Sequence, residues 1–311
     1  MKLERNPQAE QMADESMLRT LTAQAEAIWP QEELLLTRYG QPLRIADIGC
    51  GSGEITSRLA ARYPQAQILG IDILESSAAY ARQRYADLAP RVRFEQGDAF
   101  ELKCPNDSFD LVVCRHVTQS VPQPQNVIAE LQRICKPGGW VHVLSEDYGM
   151  LHMPSGAFDP DRLWHDGVIA YTHSTHTDAR IGRRTWPIFS RLGFQDLRVD
   201  YIIVDSLRVP RETFGMIIQA WRDGYTDVIA QHTRLTLTEV RTLFDQVIET
   251  IRVPMDSGFG VVGRIDGGAF AVTAGTIEPW GLTNMSPAML VGSPTESLLE
   301  LPKTLRAMPL E

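Results

Sequence analysis

The sequence predicts an α/β fold, a mostly parallel sheet covered by helices. Three observations carry this. Between residues 43 and 145 short apolar runs alternate with helix-like runs. Two of those apolar runs, 67–71 and 110–114, read as strands buried on both faces. The first strand leads through a glycine-rich turn, DIGCGSG at 47–53, straight into a helix.

The elements follow in order. Residues 8–28 form an amphipathic pattern with Met12, Met17, Leu21 and Ile28 roughly on one face, and Trp29-Pro30 is expected to end that helix. Strands are expected at 43–48, 67–71, 92–96, 110–114 and 140–144. Helices are expected at 54–62, 76–88 and 123–135, the last carrying Val127, Ile128, Leu131 and Ile134 as one stripe and stopped by KPGG at 136–139. Residues 146–178 have weak periodicity and are rich in His, Asp, Met, Tyr and Trp. A helix then runs to about Leu192, with Gly193 as its stop. Leu197, Val199, Tyr201 and Ile203 alternate with other residues as in a half-buried strand. Two helices follow. One starts at Pro210 and carries Phe214, Ile217, Ile218, Trp221 and Tyr225; the other opens on a capping box, Thr236 to Glu239. Residues 269–277 read as the last strand, and the tail beyond Trp280 is irregular.

Composition narrows the function. At 311 residues, with 43% hydrophobic and 22% charged residues, the chain affords a large core without a disulfide or metal staple. The formal net charge of -9 disfavours nucleic acid as a partner. RIGRR at 180–184 is the one dense basic run and reads as a solvated helix start. The four cysteines form no CxxC pair, which suits a reducing, cytoplasmic setting. No apolar stretch approaches the ~18 residues of a membrane span, and the first residues carry no signal-peptide core, so no membrane role is expected. A homodimer stays open.

The candidate site lies where ligands of parallel sheets bind, beyond the C-terminal strand ends. After the first strand come Asp47 and Gly49, Gly51 and Gly53. The spacing is DxGxGxG and not GxGxxG, and an acid there suits a ligand with an ammonium group and no phosphate. After the second strand comes Asp72, followed by Ile73, where a carboxylate can accept both hydroxyls of a ribose. After the third come Asp98 and Ala99, an acid and a backbone N–H suited to an adenine edge. After the fourth come Cys114, Arg115 and His116, and after the fifth Glu146, Asp147 and Tyr148.

DIGCGSG, Asp72, GDAF, FDLVVCRH and KPGG, in that order, resemble a class I S-adenosylmethionine (SAM)-dependent methyltransferase of the small-molecule type. The resemblance is strong over 43–145 and looser over IGRRTWPIFSRLGF at 181–194. It implies a Rossmann-like, mostly parallel seven-stranded sheet with helices on both faces, an antiparallel last strand and helical cap insertions. It implies SAM as co-substrate. Gly49, Gly51 and Gly53 would let the backbone pass the methionyl part, Asp47 would approach its ammonium, and Cys114 would lend a backbone carbonyl. Asp72 with Ile73 would hold the ribose, and Asp98 with Ala99 the adenine.

The domain layout expected is a helical lid at 1–40, a SAM-binding body at 41–280 with caps at about 146–180 and 208–257, and a tail at 281–311. In the lid, Arg19 could reach the methionyl carboxylate, and Met12 or Met17 could cover the adenosine. Methyl transfer needs alignment and, for some acceptors, a base. His116 is the base candidate by residue type. Glu146 and Asp147 are candidates as base or amine ligand, and Tyr171 as a pocket residue. His165, His173 and His176 are too loosely spaced to argue for a metal. Three functions compete: methyl transfer to a small molecule, a SAM-consuming cyclase giving azetidine-2-carboxylate and methylthioadenosine, and a non-catalytic SAM binder.

Overall fold

Why the strands line up as they do is visible in their side chains. The computed structural model describes residues 5–13, 15–151, 158–252 and 268–276. Within these, β1 (Arg44–Ile48), β2 (Gln67–Asp72), β3 (Val92–Gln96), β4 (Phe109–Arg115), β5 (Cys135–Glu146), β6 (Gln195–Val204) and β7 (Gly268–Thr276) make one sheet. Its order is β3-β2-β1-β4-β5-β7-β6. The first five pair in parallel, and β7 runs antiparallel between β5 and β6. The central strands β1, β2 and β4 are buried nearly end to end, as their unbroken apolar runs require. The chain winds outward from β1 to β3 and returns to lay β4 beside β1. That reversal opens a crevice between the ends of β1 and β4.

The helices, in chain order, are α1 (Ala9–Met12), α2 (Glu15–Leu35), α3 (Glu54–Arg62), α4 (Glu75–Arg84), α5 (Pro124–Ile134), α6 (Ala170–Ser174), α7 (Gly182–Arg191), α8 (Arg211–His232) and α9 (Leu237–Arg252). Three apolar clusters hold them. On one sheet face Val112, Val143 and Ile48 meet Val127 and Leu131 of α5 and Phe189 of α7. On the other face Ile45, Leu111 and Val113 meet Leu59 of α3 and Ala25 and Trp29 of α2. The third cluster joins α8 and α9, through Phe214, Ile217, Phe244 and Val247, to Ile28 of α2 and Trp164. Among the described residues no helix is long and apolar enough to cross a membrane.

Several expectations need correction. Pro30 does not end the first helix, because α2 continues through it to Leu35. Its flanking residues Ile28, Trp29 and Glu32 are buried, and their packing outweighs the missing backbone donor. That helix also starts later, at Glu15, with α1 as a separate turn. The helix expected at 76–88 stops at Arg84 and gives way to a 3-10 turn, Ala86–Leu88. KPGG is taken into β5, which runs from Cys135 to Glu146, so Glu146 is the end of that strand. The weakly periodic stretch holds a 3-10 turn (Tyr148–Met150), a π-helical turn (Leu163–Ile169) and α6. The seven-stranded order and antiparallel β7 agree with the expected fold class. The described residues, which end at 276, belong to one compact unit, and the expected tail at 281–311 lies outside them.

Candidate functional site

The glycine turn after β1 is built for close approach. Gly49, Gly51 and Gly53 have φ of 75°, 51° and 81°, a region that favours glycine. A Cβ on Gly49 would stand 2.2 Å from Val117 Cγ2, and one on Gly51 would stand 2.7 Å from Leu21 Cδ1. The turn therefore sits tightly between the β4 loop and α2. Asp47, at the end of β1, is buried, and its Oδ2 accepts from Thr56 Oγ1 at 2.6 Å. Burial pushes its carboxyl up to about 6, with Thr56 and Arg115 opposing. Ser52 Oγ is buried in the same small cavity and has no hydrogen-bond partner. A buried acid held partly protonated, beside an unsatisfied hydroxyl, is a site that an ammonium would complete.

An adjoining cavity of about 810 Å3, part of it open to solvent, shares Gly49, Arg115 and His116 with the first. Asp72 lies at its wall. One carboxylate oxygen accepts from Gly51 N at 2.8 Å and the other from Leu74 N at 2.9 Å. Burial raises its pKa against these two bonds. Two oxygens offer about four acceptor positions, so a ribose diol still finds two. Ile73 lines this cavity and is half-exposed. At the far end Asp98 accepts from Phe100 N at 2.9 Å and from Arg5 at 2.9 Å, and Ala99 stands beside it. The Arg5 guanidinium also lies 5.7 Å from the Phe100 ring centroid. These residues fit a nucleoside.

Beneath the crevice runs a buried polar chain that the sequence did not disclose. Arg115, the last residue of β4, bonds Glu32 of α2 through Nε at 2.9 Å, with a second nitrogen 2.8 Å from the other oxygen. Glu32 also meets His142 Nε2 at 3.0 Å, and His142 Nδ1 meets the Tyr39 hydroxyl at 2.7 Å. Burial alone would raise the Glu32 carboxyl, but Arg115 and His142 together hold it at about 2. This chain ties α2 to the centre of the sheet, and Arg115 lines both parts of the cavity.

His116 follows directly and has a φ of 55°, a strained value for a residue with a side chain. Its Nδ1 lies 2.8 Å from Glu146 Oε1 across the ends of β4 and β5. Thr118 and Ser145 hydroxyls, 2.8 Å apart, tie the same two strand ends together. Tyr148 also bonds the Glu146 carboxylate, and its own pKa is pushed well up by burial and then by that charge. His116 and Leu21 line both parts of the nucleoside-fitting cavity and also a second cavity of about 700 Å3. That second cavity is walled by Met12, Met17 and Thr20 from the N-terminal segment and by Trp221 and Tyr225 of α8. Tyr171 lines it too, with burial pushing its hydroxyl to about 12.

The structure thus gathers Asp47, Gly49, Gly51, Asp72, Ile73, Asp98, Ala99 and His116 around two cavities, and Glu146 and Tyr171 around a third, with Leu21 and His116 lining all three. Gly53 shapes the turn from behind, its φ-positive backbone packed against Phe94. Cys114 is a wholly buried thiol, raised by burial, and lines none of these three cavities. Two candidates are placed otherwise. Arg19 bonds Glu15 and Asp223, at 3.1 and 3.2 Å, on the outer side of α2. Asp147 is buried and held by both nitrogens of Arg183, at 2.7 and 2.8 Å, while it accepts from Gly149 N. That pairing makes it a fastening of α7 to the strand end, which a lone acid in SEDYGM does not reveal. Arg5, Arg115, Gln119 and Glu32 were missed. Arg115 alone had a signal, its position at the strand end between Cys114 and His116.

Residues 45–139 match a family model described as a methyltransferase domain. The chain is 43% identical over 96 residues to a trans-aconitate 2-methyltransferase of Deinococcus radiodurans, covering 31% of this chain and 35% of that protein. It is 30% identical over 140 residues to a demethylmenaquinone methyltransferase of Thermus thermophilus, covering 45% of this chain and 62% of that one. The matched segments thus span about a third to two thirds of these curated relatives. Among solved structures, the [4+2]-cyclase SpnF superposes with a TM-score of 0.52 at 20% identity, over 80% of this chain and 81% of that one. A Haemonchus contortus phosphoethanolamine N-methyltransferase 2 bound to phosphomonomethylethanolamine and S-adenosylhomocysteine superposes with a TM-score of 0.50 at 19% identity, over 80% and 53%. At these identities the two structures speak for the fold alone.

Proposed function

We propose that the whole chain is a class I SAM-dependent methyltransferase that transfers the methyl group of SAM to a small molecule held in the cavity lined by α2 and α8, a reading supported by the match of residues 45–139 to a methyltransferase-domain model. One observation carries this reading. His116, braced by Glu146, lines both the nucleoside-fitting cavity and the second cavity, so it stands where a donor and an acceptor would meet.

SAM supplies an already activated methyl group. The residues around it have simpler work. Asp72 accepts the ribose hydroxyls, Asp98 and Ala99 face the adenine, and Asp47 with Ser52 receives the ammonium. Arg115, fixed by Glu32, faces the methionyl carboxylate. Glu146 holds the His116 ring by Nδ1, and the ring so oriented takes the acceptor's proton. Met12, Leu21 and Met17 exclude water from the junction. The presence of a second cavity beside the first speaks against the cyclase alternative, which needs no room for another substrate. The braced histidine speaks against a mere binder. A setting in the cytoplasm and a lid role for residues 1–40 belong to this same reading.

Two measurements test it. Calorimetry with S-adenosylhomocysteine should give clear binding for the native protein and about a hundredfold loss for Asp72→Ala, since two hydrogen bonds to a charged acceptor at ~1.5 kcal/mol each are removed. Unchanged affinity removes Asp72 from the site. Incubation with SAM alone should leave it intact, and addition of a metabolite extract should release S-adenosylhomocysteine. Methylthioadenosine formed from SAM alone would establish the cyclase instead.

A further inference from the structure

The second cavity has a chemical character of its own. Among the described residues, no lysine or arginine lines it. The one carboxylate among the described lining residues is Glu146, already engaged by His116 and Tyr148. Much of the remaining wall is apolar or aromatic. Trp221 packs on Tyr148 at 5.4 Å between centroids, and Tyr171 packs on Tyr225 at 6.2 Å. A carboxylate or phosphate entering here would leave water and find an acid and, among the described residues, no lysine or arginine.

Two polar atoms in this wall lack partners. Gln119 Oε1 and Thr20 Oγ1 are both buried, in side chains 8% and 2% exposed, and neither has a hydrogen-bond partner. Gln119 lies three residues past His116 on the loop after β4, and Thr20 faces in from α2. A buried carbonyl oxygen left without a donor is costly unless a ligand satisfies it. The occupant therefore carries a hydrogen-bonding group as well as apolar bulk.

We propose that this cavity takes an uncharged, largely apolar acceptor that presents a hydroxyl to the His116–Glu146 pair and a second polar group to Gln119 and Thr20, and that it rejects carboxylated and phosphorylated acceptors. The inference rests on the methyltransferase reading for its chemistry but on the cavity alone for its charge preference. In the reaction the acceptor oxygen forms its bond to the methyl carbon while the carbon–sulfur pair returns to sulfur. The hydroxyl proton passes to His116. Negative charge develops on the oxygen only as the sulfonium's positive charge is consumed, so no resident cation is needed.

The test uses three probes of one size: biphenyl-4-ol, biphenyl-4-carboxylate and biphenyl-4-ylmethanamine. Their affinities are measured by calorimetry on the full chain, with and without S-adenosylhomocysteine. The neutral phenol should bind at least about tenfold tighter than the carboxylate, about 1.4 kcal/mol, and tighter than the amine. A carboxylate that binds equally or better overturns the proposal, and so does an amine that binds tightest. The affinity for S-adenosylhomocysteine is read separately. If it fails to bind, the methyltransferase reading falls, while the charge order of the probes is still decided on the protein alone. A Gln119→Leu variant should weaken 4,4′-biphenol, which carries a second hydroxyl, more than biphenyl-4-ol. Equal weakening of both removes Gln119 from the proposed contact.

Discussion

The nucleoside-fitting half and the aromatic half of this crevice are made in different ways. The first is assembled from the ends of consecutive parallel strands. Asp47 and Asp72 lie at the ends of β1 and β2, and Asp98 stands two residues past β3. The second half is assembled from side chains of the N-terminal segment, the loop after β4, the π-helical turn, α6, α8 and α9. Those pieces meet only because Ile28, Trp164, Phe214 and Phe244 share one apolar cluster. A site built on strand ends survives changes in its covering helices, whereas a site built on packed helices changes with every side chain in them. The family-model match, residues 45–139, covers the stretch where the first kind of construction prevails.

The two halves are joined at Glu32, and that junction offers the strongest way to break the comparison. Glu32 sits on α2 but neutralises Arg115 of the sheet, with both side chains buried. Glu32→Gln should cost about 3 kcal/mol or more of unfolding free energy, because it leaves a buried guanidinium without its counter-charge. Urea denaturation at neutral pH measures this. The sign with pH follows from the depressed carboxyl. Glu32 is held at about 2, below its ordinary value, so its contribution is complete above about pH 4.5 and fades as pH falls towards 2. A loss well under 1 kcal/mol would mean that α2 and the sheet are held by their apolar contacts alone, and that the halves are more independent than the ion pair implies.

The same contrast explains what could be read in advance. The placement of the glycine turn, Asp72 and Asp98 was legible because each depends on a local rule: a turn that needs positive φ, or an acid at or just past a strand end. The capping box at Thr236 was legible for the same reason, and the structure shows it, with Thr236 N donating to Glu239 at 2.9 Å. Glu32 was not legible, because its partners Arg115 and His142 are 83 and 110 residues away. Pro30 misled for the complementary reason. A local rule says stop, but the buried side chains on both sides of it keep the helix going. Arg19 and Asp147 were drawn to the site by position, and then engaged by Asp223 and Arg183 from elements that sequence spacing does not bring near.

A second prediction concerns the nucleoside-fitting half alone. Burial raises Asp47 to about 6, so near and below that pH much of it is protonated and attracts an ammonium poorly. Affinity for S-adenosylhomocysteine should therefore fall as pH is lowered through 6, by up to about tenfold per pH unit. Asp47→Asn should bind more weakly at neutral pH and lose that slope. Calorimetry across pH 5 to 8 distinguishes the outcomes. A slope that persists in Asp47→Asn would move the titration to another group and free Asp47 from any contact with the ammonium.

The smallest effect is the one that separates the halves most cleanly. Thr236 caps α9, with its hydroxyl accepting from Glu239 N at 3.3 Å, far from the glycine turn in sequence. Removing a threonine cap costs about 1 kcal/mol. α9 contributes Phe244 to the aromatic cavity and, among the described residues, nothing to the nucleoside-fitting space. Thr236→Ala should therefore weaken biphenyl-4-ol by a few-fold and leave the affinity for S-adenosylhomocysteine unchanged. If both affinities drop together, the helical half does not loosen by itself. The crevice would then be one cooperative body in which the covering helices set the geometry of the strand ends as well as their own.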